Sequence, residues 1–285
     1  MMINALTIDV EDYFQVNAFA RHVKRKEWDS YPLRVEANTH RILDILDRFA
    51  VKATFFVLGW VAEKVPNLVR EIQARGHEIA CHGYFHELIY SIGSDHFRQD
   101  IREAKNILEN ICGTTIIGYR APSYSITAKS LWALDILIEE GFHYDSSIFP
   151  VYHDTYGVPD APRFPYMIQR AAGTIQEFPL TTLPIRLPGK EYRLPIAGGG
   201  YLRLLPDRLI SMGIKRINLI DKKPCVLYLH PWEVDPQQPR IKAGMKSTFR
   251  HYVNLSRTEN KLLNILSKIK FAPMNNVLGE YFANA

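Results

Sequence analysis

Two histidines, His82 and His86, stand four residues apart just past the apolar-centred run Gly76-His77-Glu78-Ile79-Ala80-Cys81. Two imidazoles so spaced on one loop can reach a single divalent ion, and imidazole suits zinc, iron, nickel and similar cations. The pair alone carries little weight, because His-x3-His arises often by chance. It gains weight only if the chain also offers an anionic ligand, a base and an acid. The stretch Ala5-Leu6-Thr7-Ile8-Asp9-Val10-Glu11-Asp12 reads as a buried strand ending in acid. Glu11 or Asp12 can complete a set of two histidines and one carboxylate, which leaves a position open for a water that the cation acidifies. Carboxylates at the end of such a run are costly unless paired. Asp9 lies two residues from Glu11, on the same strand face, and fits a general base.

Arg120, within Gly118-Tyr119-Arg120-Ala121-Pro122-Ser123-Tyr124, can hold Asp9 ionised through charge-assisted hydrogen bonds. Pro122 stiffens the turn that follows, so the backbone N–H of Ser123 or Tyr124 is a candidate for stabilising an oxyanion. His230, in Tyr228-Leu229-His230-Pro231-Trp232, is the candidate general acid, with Asp145 of Asp145-Ser146-Ser147 expected to fix its tautomer. His77 stands at the opposite end of its strand and reads as structural. His22, His40, His96, His143, His153 and His251 have no partner legible in the sequence. Cys81 should point away from the site, into the core.

These residues share a position relative to their elements. Strand-like runs at 5–10, 52–58, 77–81, 116–119, 142–144 and 225–229 alternate with helical stripes such as Ile42, Leu43, Ile45, Leu46 and Phe49. Pro66 suits the first turn of a second helical segment after Gly59, Ser94 and Thr127 read as N-caps, and Gly76 and Gly141 as stops. The alternation argues parallel βαβ units. The acids at 9–12, His82, His86, Arg120, Asp145 and His230 all fall just past C-terminal strand ends, the face on which α/β barrels and open sheets build their sites. Residues 150–206 break the rhythm with many prolines and read as insertions over that face. The run Gly198-Gly199-Gly200-Tyr201-Leu202-Arg203 lacks the lysine and the setting of a phosphate loop. It is either a tight turn or a place where a sugar approaches the backbone, with Tyr201 or Arg203 as contacts. Leu262, Leu263, Ile265, Leu266 and Ile269 mark a closing helix.

Composition is permissive. The chain has 285 residues, 47% of them hydrophobic, enough for a sizeable core, and a net charge of +5. A mildly basic balance fits an acidic polymer or a membrane surface. Nucleic acid is not indicated, since the one basic run, Arg21-His22-Val23-Lys24-Arg25-Lys26, reads as a solvated face with no binding module around it. Three widely spaced cysteines, Cys81, Cys112 and Cys225, suggest neither disulfides nor a zinc ribbon. The first residues do not form a signal peptide, and no stretch approaches the about 18 apolar residues of a membrane span, so the cytoplasm is the expected location.

As an ordered set, Thr7-Ile8-Asp9-Val10-Glu11-Asp12, His82-Gly83-Tyr84-Phe85-His86, Arg120-Ala121-Pro122-Ser123-Tyr124, Asp145-Ser146-Ser147 and Leu229-His230-Pro231-Trp232 resemble the polysaccharide deacetylases of the NodB-homology type, carbohydrate esterase family 4. The resemblance implies an α/β fold, a distorted (β/α)7-type barrel over 1–235, with a C-terminal helical extension over 236–285 packed on it. It implies removal of N-acetyl groups from amino sugars with a divalent metal, most often zinc. It gives Asp9 as base, His82 and His86 as metal ligands, Arg120 as the base's partner, Asp145 as the histidine's partner and His230 as acid. Ser123, Tyr124 and Trp232 become candidate substrate contacts. Two departures stand out. The family's first motif has adjacent aspartates, whereas Val10 follows Asp9; a subset with a spacing of two points to Glu11 over Asp12. Gly83 replaces the usual Ser or Thr, so a hydrogen bond behind the ligands must come from elsewhere. The opening acids, the glycine run and the C-terminal segment look most like a subgroup found with exopolysaccharide and exosortase loci. That likeness implies a carbohydrate substrate, exopolysaccharide or lipid-linked, at the inner face of a membrane. A related amidase acting on an allantoin-like compound or a formamido sugar would need the same residues. A glycan-binding barrel without catalysis would need a vacant role, and none is vacant.

Overall fold

Strand β1 (Ile3–Val10) alternates by face. Leu6, Ile8 and Val10 belong to the outer core between sheet and helices, while Ala5 belongs to the inner core of the barrel. A period of two therefore turns Thr7, Asp9 and, one step past the strand, Glu11 inward. The computed structural model describes residues 2–187, 190–196 and 198–284. After β1 come β2 (Thr54–Val57), β3 (Glu78–Cys81), β4 (Gly118–Tyr119), β5 (Tyr144–Asp145), β6 (Tyr166–Arg170) and β7 (Gly173–Glu177). A separate hairpin, β8 (Thr182–Leu187) and β9 (Lys190–Pro195), precedes β10 (Val226–Leu229) and β11 (Lys270–Ala272). The sheet order is β10-β1-β2-β3-β4-β5-β7-β6, with β11 beside the first residues of β1. Seven parallel strands, β1 to β5, β7 and β10, form the staves of the expected distorted barrel.

The helical layer contains α1 (Val35–Arg48), α2 (Gly59–Lys64), α3 (Pro66–Ala74), α4 (Ser94–Cys112), α5 (Trp132–Glu139), α6 (Gly199–Leu204), α7 (Asp207–Arg216), α8 (Met245–Tyr252), α9 (Leu255–Leu266) and α10 (Met274–Ala283). Pro66 opens α3 and Gly113 closes α4 at φ 66°. Ser94 and Thr127 do not cap as expected: Gly93 precedes α4, and Leu131 precedes α5. Among the described residues no helix is long and apolar enough to cross a membrane.

Register decides which polar residues meet. Val10 pairs with Val57, Val57 with Cys81, Cys81 with Tyr119, Tyr119 with Asp145 and Asp145 with Glu177. Val10, Val57, Cys81 and Tyr119 on this line all pack in the outer core. Asp145 and Glu177 share that line and so leave the barrel outward. The next residues along, His82, Arg120 and Ser146, turn inward.

Two expectations change here. Residues 150–206 are not all insertion: β7 is a stave, hydrogen-bonded in parallel to β5. Residues 174–178 read as strand-like in the sequence, but the half-exposed pattern does not mark a barrel stave; only the pairing with β5 does. Beyond β7, Phe178 and Leu180 enter the inner core, and the Thr181 hydroxyl accepts Val226 N–H at 2.7 Å, closing the wall toward β10. The segment 236–285 is more than a helical extension. It returns to the sheet as β11, and α10 then seals the N-terminal end of the barrel. There Met274, Val277 and Leu278 join the inner core. Met274 N–H donates to Thr54 Oγ1 at 2.7 Å and Asn275 N–H to Glu78 Oε2 at 3.2 Å. Phe271 of β11 is buried in the outer core. Phe271→Ala should therefore cost the whole barrel about 3 kcal/mol, read as a lower urea midpoint in a single transition.

Candidate active site

The inward residues at the C-terminal mouth form a cleft of about 430 Å³. Glu11, His82 and His86 meet there, their ligand atoms all within 4.8 Å of one another. The His82 Nδ1 lies 2.8 Å from the carbonyl oxygen of Arg120, to which its N–H donates, and this frees Nε2. His86 Nε2 stands 2.6 Å from Glu11 Oε2, and Trp232 Nε1–H donates to Glu11 Oε1 at 3.1 Å. Burial favours a neutral Glu11, but His86, His230 and His82 outweigh it and hold the carboxyl well below the usual range. Burial pushes His82 down to about 4, so the ring is neutral, as ligation requires. Glu11 Oε2 is buried and faces the His86 imidazole. A buried carboxylate oxygen set against two imidazoles suits a divalent cation.

The loop that carries the histidines is held from behind. Asp100 of α4 accepts Tyr84 N–H at 2.8 Å and Phe85 N–H at 3.2 Å. Gly83, at φ 73°, makes room: a Cβ there would come within 2.8 Å of Asp100 Oδ2. The hydrogen bond missing at position 83 is thus replaced by a carboxylate on a neighbouring helix.

Asp9 faces this group. Its Oδ1 accepts Arg120 Nη1–H at 2.6 Å; its Oδ2 lies 3.4 Å from the Tyr124 hydroxyl and 3.9 Å from His230 Nε2. Arg120 is fully buried. It also donates to Thr7 Oγ1 at 2.7 Å, to Ser146 O at 3.1 Å and to Ser146 Oγ at 2.9 Å, and its guanidinium lies over the Phe56 ring. Ser123 and Tyr124 both adopt left-handed φ, 53° and 54°, and border the cleft. Tyr124 N–H is already given to Ala121 O at 3.0 Å, so it does not serve an oxyanion as expected.

The partner of His230 is Glu233, not Asp145. Glu233 Oε2 lies 3.1 Å from His230 Nδ1 and accepts His230 N–H at 2.9 Å. Glu233 Oε1 accepts Arg203 Nε–H at 2.6 Å, and Arg203 donates onward to the carbonyls of Arg250 and His251, each at 2.7 Å. Burial opposes the imidazolium, but Glu233, Glu11 and Asp9 prevail and raise His230 to about 9. Trp232 stacks between His230 and His251, with centroids 5.1 Å and 4.2 Å away. Its indole orients Glu11 and His230, and it borders the cleft where a sugar contact was expected.

Other expectations resolve similarly. Asp145 accepts the Ser147 hydroxyl, and Ser147 Oγ accepts Ala121 N–H at 2.7 Å, so Asp145 braces the turn after Arg120 from outside. Burial and the facing Asp145 push Glu177 well above the usual carboxylate range, which leaves a proton for the pair to share. Asp12 is no ligand. Its Oδ2 accepts Arg34 N–H at 2.7 Å and Val35 N–H at 2.9 Å, which caps α1. Gly198 and Gly199 press on Tyr228 rather than on a sugar: a Cβ on Gly198 would lie 2.2 Å from Tyr228 O. Tyr201 borders the cleft, as does a stacked pair, His153 and Tyr156, whose ring centroids are 3.8 Å apart. Glu233 and His251 were not legible as site residues, and Arg203 was read only as a possible sugar contact, not as the partner of Glu233. Only Glu233 left a signal, since His-Pro-Trp-Glu places Pro and Glu at the first and third positions of a capped turn.

The profile of the polysaccharide deacetylase family matches residues 27–137. Over those residues the chain is similar to that family. The stretch carries His82, His86 and Arg120. A second profile, described as a domain of unknown function (DUF3473), matches residues 146–279, which hold Arg203, His230, Glu233 and His251. The peptidoglycan-N-acetylglucosamine deacetylase of Bacillus cereus is 39% identical over 98 residues, 34% of this chain and 36% of that protein. The chain thus spans about a third of the length of that curated relative. A solved Mycobacterium smegmatis structure assigned as a polysaccharide deacetylase superposes with TM-score 0.62 at 24% identity, covering 98% of this chain and 90% of that one. Puue allantoinase superposes with TM-score 0.63 at 15% identity, covering 99% and 90%. Both structures share the fold.

The assignment of the two acids separates by measurement. Glu11→Gln should lose bound metal in elemental analysis of the purified protein. Asp12→Ala should keep it and instead cost about 1–2 kcal/mol of stability through the lost cap.

Proposed function

We propose that the cleft is the active site of a metal-dependent hydrolase that removes N-acetyl groups from amino-sugar units of a polysaccharide. We assign it an exopolysaccharide or its lipid-linked precursor as substrate and zinc as its ion. The observation that carries the reading is the placement of Asp9 and His230 beside the Glu11–His82–His86 group, each tied to its own counter-ion. A divalent cation, when bound by that group, supplies Lewis-acid polarisation of the amide and lowers the pKa of water.

The chain's own residues supply the proton chemistry. Amide hydrolysis needs a water deprotonated as it attacks and a nitrogen protonated as it leaves. Asp9 Oδ2 takes the proton of the attacking water, and Arg120 keeps the carboxylate aimed through Oδ1. His230 keeps Nδ1–H on Glu233 and gives its Nε2 proton to the amine nitrogen as the C–N bond breaks, yielding acetate and a free amine. A pKa of about 9 keeps that proton in place at neutral pH. Trp232 and His251 screen the acid from bulk water, and the tyrosines of the cleft offer stacking faces suited to a sugar ring.

Acetate release from N-acetylglucosamine oligomers and lipid-linked glycans tests this reading. Release should vanish with chelator and return with zinc. No acetate from any of these at full metal occupancy overturns it, and ammonia or formate from small amides or formamido sugars would move the protein to the related amidases. Asp9→Asn should lower turnover roughly 10³-fold with metal retained. Loss of metal in that variant would mean that Asp9 is a ligand.

A further inference from the structure

Twelve large apolar side chains are exposed among the described residues, and five of them fall between positions 204 and 220. They are Leu204, Leu209, Met212, Leu219 and Ile220, at 49%, 53%, 65%, 76% and 66% exposure. Helix α7 and the π-helical turn after it, Ile217–Asp221, already bury Ile210, Ile214 and Ile217 against the barrel. Leu209, Met212, Leu219 and Ile220 therefore form a second apolar stripe on the outward side, which the fold itself does not need. Such a stripe marks a surface that something covers.

The charges around it narrow what that is. Arg208, Lys215, Arg216 and Lys222 are interleaved with the stripe and exposed, and none makes an ion pair among the described residues. The two acids of the segment are engaged: Asp207 lies 3.7 Å from Lys268 and Asp221 lies 4.0 Å from Arg163. The face is thus apolar and positive. A second copy packed on it about a two-fold axis would set these cations against their equivalents. The outward side of a helix is convex and offers no groove for a peptide. An anionic lipid surface meets both properties, since interfacial helices combine Lys and Arg with inserted apolar side chains.

We propose that the outward face of α7 and the following turn is a peripheral docking surface for a bilayer containing anionic phospholipid. Leu204 both borders the catalytic cleft and begins the exposed run, so docking brings the cleft mouth beside the lipid headgroups. The inference does not depend on the reaction assigned above.

The full chain, mixed with vesicles of phosphatidylglycerol and phosphatidylcholine or of phosphatidylcholine alone, is tested by co-sedimentation. Binding should be at least about tenfold stronger to the anionic vesicles and should weaken with salt. Leu219→Gln with Ile220→Gln, and separately Arg208→Gln with Lys215→Gln and Arg216→Gln, should each weaken it about tenfold with the melting temperature unchanged. The proposal is overturned if the wild-type chain stays in the supernatant with both vesicle types, or if both variants bind as the wild type does. It is also overturned if sedimentation shows a dimer that the Leu219/Ile220 variant dissociates, which would make the face a self-interface.

Discussion

The arrangement depends on one buried cation. Arg120 has no exposed surface, and a guanidinium taken wholly out of water is tolerated only where its donors are met and its charge is balanced. Three staves meet those demands: Thr7 and Asp9 of β1, Ser146 just past β5, and Phe56 of β2 under the guanidinium plane. The Arg120 carbonyl then fixes the tautomer of His82 on β3's exit. Asp9, His82 and the mouth of the barrel are thus set by one side chain and its own backbone. Asp9, the proposed base, is also the counter-ion of Arg120, which ties the proposed chemistry to the integrity of the fold.

The His230 side of the cleft has a separate frame. His230 leans on Glu233, Glu233 on Arg203, and Arg203 on the carbonyls at the end of α8. All of these lie within the stretch matched as a domain of unknown function, while His82 and His86 lie in the stretch matched as polysaccharide deacetylase. The second stretch is not an appendage. It contributes two staves of the barrel, β7 and β10, and the His230 side of the cleft.

How much of this could be read from the sequence follows from the range of the interactions. The face shared by Asp9 and Glu11 was legible because strand alternation is local, and the strand-exit positions of His82, Arg120 and His230 were legible for the same reason. Asp145 was assigned to the wrong neighbour because β5 has two residues, too few to reveal which face each takes. The fate of Asp12 turned on where α1 starts, more than twenty positions later. Arg203 and His251 meet His230 and Glu233 only through tertiary contacts, and β7, strand-like in sequence, shows itself as a stave only through its partner. What was missed had no local period or turn chemistry to betray it, apart from Glu233, whose capped turn was available.

Gly83 and Asp100 show how tightly the His82–His86 loop is bound to the layer behind it. The carboxylate occupies the volume a side chain at position 83 would fill, and it is delivered by α4, a helix outside the barrel. The loop is therefore not a portable cassette. Exchanging it with a loop that bears a hydroxyl residue at this position would require exchanging the helix residue as well, so the smallest interchangeable part of this site is loop and helix together.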